Sequence, residues 1–179
     1  ISKFKYCVEE SREYTFNHNT KTFDIEEEAP LSSDKHDIVY SNLMLGLRDY
    51  VEKNKFPGVV IGISGGIDSA FSAVVATDAL GPERVKGILM PSQFTSEESN
   101  EDAKQLGKKL GIELISVSIK DIVNSYDSTL SNLFVGKEKD ITEENIQSRT
   151  RGAILMAYSN KFGHMVVTNG NKLSLIHIS

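Results

Sequence analysis

One segment constrains this chain more than any other: Val59-Val60-Ile61-Gly62-Ile63-Ser64-Gly65-Gly66-Ile67-Asp68-Ser69. Its first five residues form a short, apolar, β-branched run, the pattern of a strand buried on both faces. Serine and two glycines follow, and small residues then recur at helical spacing over Asp68–Leu80, up to a stop at Gly81-Pro82. Glycines admit φ > 0 and let the main chain come close to an anion. A helix start adds unpaired N–H groups and a partial positive charge. Together they predict a phosphate cradle, with the Ser64 and Ser69 hydroxyls as further donors. Asp68 would repel a bare phosphate. It suits the site when Mg2+ lies between its carboxylate and the phosphate oxygens. The plainer alternative is a glycine-rich turn with Asp68 as an ordinary helix cap.

The rest of the chain shows no internal repeat, and its pattern alternates helices with strands. A helix is expected over about residues 37–54, from the spacing of Val39, Leu43, Leu47, Tyr50 and Val51. Val85–Met90 is a second buried strand. Thr95 and Glu98 stand in capping-box spacing and open a helix running to about Leu110, with Gly111 as its stop. Ile112–Ile119 alternates as a third strand, and a helix follows over about Asp121–Leu133. Asp140 with Glu143 offers another capping box for a helix through Phe162, and Met165–Thr168 is a fourth strand. Strands alternating with helices through short loops predict an α/β fold of three layers, α/β/α, on a parallel sheet. Ligands of such sheets sit at the carboxyl ends of the strands.

Of the 179 residues, 39% are hydrophobic, which excludes general disorder. No apolar run approaches the ~18 residues of a membrane span. A net charge of −5 argues against a nucleic-acid coat. The one cysteine, Cys7, forms no internal disulfide, and a reducing, cytoplasmic setting is expected. The first residues carry neither a Met nor a signal segment, so the chain is expected to begin inside a longer reading frame. Residues 1–35, with Glu26-Glu27-Glu28 and Pro30, read as a linker, with a short strand at Tyr14–Phe16 or Thr22–Ile25. His36 and His164 lack partners at metal-ligand spacing and are expected to have a structural or surface role.

The loop Ser64-Gly65-Gly66-Ile67-Asp68-Ser69 is neither a Walker A motif nor a dinucleotide-binding Gly-x-Gly-x-x-Gly. It resembles the pyrophosphate loop of the ATP pyrophosphatases. Further segments resemble glutamine-dependent NAD+ synthetase: Gly46–Val51, Phe56-Pro57-Gly58-Val59, Leu80–Val85, Met90-Pro91-Ser92, Thr95-Ser96, Thr142–Gln147, Arg149-Thr150-Arg151-Gly152, Ser159–Gly163 and Gly170-Asn171-Lys172. The resemblance covers about residues 36–172 and implies an adenine nucleotide α-hydrolase-like (Rossmann-like) fold, truncated at its C-terminus. It implies ATP and Mg2+ as cofactors, with deamido-NAD+ and ammonia as the other small-molecule substrates. The implied reaction joins the nicotinate carboxylate to AMP, releases pyrophosphate, and lets ammonia displace AMP. The resemblance assigns the ATP phosphates to Gly62, Ile63, Ser64, Gly65, Gly66, Ile67, Asp68 and Ser69, with Asp68 on the metal. Adenine falls to the main chain at Met90, and Asn169 and Lys172 border the ATP site. Asn145, Arg149 and Arg151 fall to deamido-NAD+, the two arginines being expected near one face. No nucleophilic side chain is required.

Departures are also visible. The family has Thr where Asn169 stands, and follows Gly-Asn-Lys with Ser-Glu. Here Leu173 follows, and position 174 is Ser. Residues 1–35 are expected to be the tail of a nitrilase-like glutaminase and its linker. Residues 36–172 are expected to be the N-terminal part of the synthetase domain, and 173–179 a non-native tail. The intact parent is expected to be a homo-oligomer that uses glutamine, and the fragment to bind ATP without completing the reaction. Two alternatives stay open: another amidating ATP pyrophosphatase, such as a GMP synthetase or a transfer-RNA-modifying ligase, and a non-catalytic adenine-nucleotide-binding module.

Overall fold

The structure, a computed structural model, describes residues 34–92 and 96–169, with two short strands before them, β1 (Thr15–Asn17) and β2 (Thr22–Asp24). These two pair antiparallel, Phe16 opposite Phe23, so both expected sites form strands.

Helix α1 (Lys35–Lys53) starts two residues earlier than its apolar spacing suggests, because Asp34 caps it and accepts from His36 N at 2.8 Å. Tyr40 donates to Asp78 at 2.6 Å and Arg48 Nε donates to the Ala79 carbonyl at 2.9 Å, tying α1 to helix α2 (Ile67–Leu80). Two of the quoted sequence segments meet behind the first buried strand. Arg84 donates to the carbonyls of Phe56 and Pro57, each at 3.1 Å, and pairs with Glu52. A Cβ on Gly58 would fall 2.1 Å from the Arg84 carbonyl oxygen, so that crossing requires glycine.

Four parallel strands, β3 (Val59–Ile63), β4 (Val85–Leu89), β5 (Glu113–Ser116) and β6 (Met165–Val167), lie in the order β5-β4-β3-β6. Alternate residues of β3 serve two cores. Val59, Ile61 and Ile63 pack with α1, α2 and helix α3 (Glu97–Leu110). Val60 packs with Ile88, Met90, Ile119 and with Val123 and Leu155 of helices α4 (Lys120–Leu130) and α5 (Ile141–Phe162). The fully buried Val59, Val60 and Ile61 each contribute about 1.5–3 kcal/mol of transfer free energy. The chain runs outward from β3 to β4 and β5, then returns to the other side of β3 as β6. Right-handed crossovers in opposite directions put α2 and α3 on one face and α4 and α5 on the other. Such a reversal opens a crevice at the carboxyl ends of the strands.

Other boundaries also differ from expectation. Ser96 caps α3, its Oγ accepting from Ser99 N at 3.1 Å; Thr95 lies outside the described residues. The third strand ends at Ser116 because Ile119 is buried as the residue before α4, not as part of the ladder. Helix α4 stops at Leu130, and the chain then turns through Gly136 at φ 74°, leaving Leu133 and Val135 exposed.

Candidate functional site

Between β3 and α2 the chain turns through Ser64, Gly65 and Gly66, and Gly66 caps α2 without any side-chain hydrogen bond. The first-turn N–H groups of α2 therefore face outward uncapped, with the positive end of the helix dipole behind them. Gly65 has φ +79°, and a Cβ there would lie 2.5 Å from the Ser99 carbonyl oxygen at the start of α3. A side chain is excluded twice, by conformation and by space. Gly62 is glycine for packing: its Cβ would sit 3.2 Å from the Met90 methyl and 3.3 Å from Leu155 Cδ1.

The two serines have different surroundings. Ser69 is 3% exposed. Its Oγ donates to the Gly66 carbonyl at 2.9 Å and accepts from Ser64 N at 3.2 Å. Ser64 is exposed, and its Oγ accepts from Gly66 N at 3.3 Å. Of the two hydroxyls expected as phosphate donors, that of Ser69 is engaged within the loop, 3.2 Å from Ser64 Oγ, while Ser64 lines the cleft.

Beside this loop lies a cleft of about 400 Å³. The ends of β3 and β4 supply Gly62, Ile63, Ser64, Leu89, Met90 and Pro91. Asn100 of α3 and Arg151 and Leu155 of α5 close it from the two helical layers. Met90 is both a core residue, 7% exposed, and a wall of the cleft. Arg151 donates from Nε to the Met90 carbonyl at 3.4 Å, and burial pushes its guanidinium below the ordinary arginine range. No carboxylate pairs with it among the described residues. A wider hollow of about 520 Å³ runs along α4 past Asp121, Ser125 and Thr129, away from the strand ends.

The structure separates the other expected residues. Asn145 and Arg149 are both exposed and lie one turn apart on α5, outside the cleft. Arg151 faces the cleft instead. Residues two apart on a helix differ by about 200° in direction, so the expected shared face for Arg149 and Arg151 does not exist. Asn169 is exposed and follows β6 two residues beyond the Ile61–Val167 pair. Lys172, Ser174 and the segment 173–179 lie outside the described residues.

Asn100 and Leu155 escaped the sequence reading. A buried Asn100 Oδ1 has no hydrogen-bond partner, a feature no periodicity signals. Leu155 could have been found, since it lies one turn after Arg151.

The donor set bears on Mg2+. Among the described residues no group of three His, Cys, Asp or Glu could hold a metal. His36 contacts Asp34, and His164 contacts the Phe162 carbonyl. Asp68 is a lone exposed carboxylate in the first turn of α2. That fits an ion carried by a polyphosphate, because Mg2+ commonly takes one or two carboxylates and completes its shell with phosphates and water.

A family model described as NAD synthase matches residues 39–177. A glutamine-dependent NAD(+) synthetase of Thermotoga maritima is 59% identical over 134 residues, 75% of this chain and 23% of that protein. One from Aquifex aeolicus is 51% identical over 75% of this chain and 24% of its own length. This chain thus spans about a quarter of these relatives. The structure of glutamine-dependent NAD+ synthetase from Acinetobacter baumannii, solved with adenosine diphosphate, superposes with a TM-score of 0.80 at 43% identity, over 92% of this chain and 31% of that one. With a family model matching residues 39–177, most of the chain, this chain belongs to the NAD synthase family.

Proposed function

We propose that the protein containing this chain makes NAD+ by ATP-dependent amidation of deamido-NAD+, and that this chain supplies the ATP-phosphate loop. The observation that carries the reading is the uncapped start of α2 behind Gly65 and Gly66, at the carboxyl end of a buried parallel strand, with Asp68 in its first turn. The A. baumannii relative was solved with an adenine nucleotide, which supports a nucleotide in the equivalent crevice.

On this reading the main-chain N–H groups of Gly65 to Ser69 hold the β- and γ-phosphates, with the Ser64 hydroxyl beside them. Asp68 would hold Mg2+, which when bound offsets charge on the departing pyrophosphate. The Met90 main chain borders the base, and Asn169 lies at the neighbouring strand end. Asn145 and Arg149, one turn apart on the outer face of α5, serve deamido-NAD+. A carboxylate oxygen of the nicotinate attacks the α-phosphorus, a new O–P bond forms, and the bond to pyrophosphate breaks with its electron pair. Ammonia, released from glutamine elsewhere in the longer protein, then attacks the acyl carbon, and AMP leaves. This chain contributes positioning and charge neutralisation, with no covalent nucleophile.

The test is to supply the intact longer protein with MgATP, glutamine and either deamido-NAD+ or xanthosine monophosphate. Formation of NAD+ with AMP and pyrophosphate supports the proposal. Turnover of the purine nucleotide alone, or of neither substrate, rejects it.

A further inference from the structure

We infer that Arg151 receives the α-phosphate of the bound nucleotide and so acts at the reacting phosphorus. This rests on the cleft being an ATP site, and it separates Arg151 from Asn145 and Arg149.

Among the described residues, Arg151 is the only charged one lining the cleft. Its helix brings it there: Leu155, one turn later, packs under Gly62 at the end of β3. The Nε–H is spent on the Met90 carbonyl, which fixes the guanidinium at the end of β4. Its two terminal nitrogens keep four N–H donors, and no carboxylate meets them among the described residues. A partly desolvated cation without a partner is costly, and an incoming anion offsets that cost. Planar guanidinium donors suit two oxygens of one phosphate.

The position along the cleft selects which phosphate. On the proposed reading Met90 borders the base, and Ser64 with the α2 N-terminus borders the pyrophosphate; both line or adjoin the same cleft as Arg151. The α-phosphate is the anionic group between a base and a pyrophosphate. When the carboxylate oxygen bonds to phosphorus and the pyrophosphate oxygen departs with its electron pair, charge stays on the non-bridging oxygens. Arg151 neutralises it there, and remains on the same phosphate in the acyl-adenylate.

The experiment is titration of this full chain with adenosine, AMP and MgATP, for the wild type and for Arg151→Ala, Arg151→Gln and Arg151→Lys. Glutamine keeps a neutral donor for the Met90 carbonyl, so it guards against loss of fold, and circular dichroism checks each variant. Wild type is expected to prefer AMP to adenosine. Arg151→Ala and Arg151→Gln are expected to lose AMP affinity by about tenfold or more while adenosine binding stays within about twofold, and lysine to restore part of the loss. Equal weakening of AMP and adenosine would reduce Arg151 to a support for Met90 and overturn the inference. Unchanged AMP binding would overturn it as well. Failure of the wild type to bind any of the three ligands would instead remove the ATP reading on which it stands.

Discussion

Gly65 and Ser99 meet so closely that a single added carbon on Gly65 would fall 2.5 Å from the Ser99 carbonyl oxygen. The loop after β3 is thus braced by the first turn of α3, and its shape depends on an element more than 30 residues away in sequence. Gly65→Ala must either give up φ +79° or push α3 outward. We expect a loss of about 1–3 kcal/mol in chemical denaturation, together with loss of MgATP binding. Unchanged stability would show that the bracing is not real.

Ser64 and Ser69 are predicted to respond differently to the same truncation. Ser69→Ala removes a buried hydroxyl that both donates and accepts within the loop, and is expected to cost about 1–3 kcal/mol of stability. Ser64→Ala removes an exposed hydroxyl, and is expected to leave stability within about 0.5 kcal/mol while weakening nucleotide binding. Denaturation and titration on the two variants separate the roles, and a reversed pattern would refute them.

Helix α5 carries Arg151, and its start is held by the Asp140–Glu143 capping box. The hydrogen bond from Thr142 keeps the Asp140 carboxyl below the usual carboxylate range. A group with a depressed folded pKa stabilises the fold above its unfolded value and loses that contribution as pH falls through the folded one. Asp140→Ala should therefore lower the melting temperature at neutral pH. The gap from wild type should close on acidification below about pH 4, the ordinary range of an aspartate. A gap independent of pH would argue that the cap acts only sterically.

The Tyr40 hydroxyl donates to Asp78, and burial first, then the Asp78 hydrogen bond and charge, raise its pKa above the ordinary tyrosine value. The sign here is opposite. The contribution is complete below the unfolded pKa of about 10 and is lost as pH rises through the folded value. Tyr40→Phe should cost about 0.5–1.5 kcal/mol at neutral pH by loosening α1 from α2. In alkaline ultraviolet titration, one phenol present in the wild type and absent from the variant should ionise last.

What could be read from the sequence follows from how local each signal is. The Val59–Ile63 run and the glycines after it are contiguous, so strand, turn and helix start were legible together. The Asp140–Glu143 cap was legible because its partners are three residues apart. Arg149 and Arg151 misled because closeness in sequence is not closeness on a helix, where each residue turns by about 100°. Ile119 misled because a buried residue before a helix continues an alternating pattern as well as a strand residue does. Asn100 gave no signal, since its place in the cleft depends on α3 meeting the ends of two strands.

The central claim is that the turn before α2 holds the phosphates of ATP through main-chain donors and a cation on Asp68. Calorimetric titration of MgATP into this chain and into Asp68→Ala tests it most directly. The account predicts binding by the wild type, at least about tenfold weaker binding by the variant, and a gap that shrinks when EDTA replaces magnesium. Equal affinities of the two proteins for MgATP, or no binding by either, would contradict it.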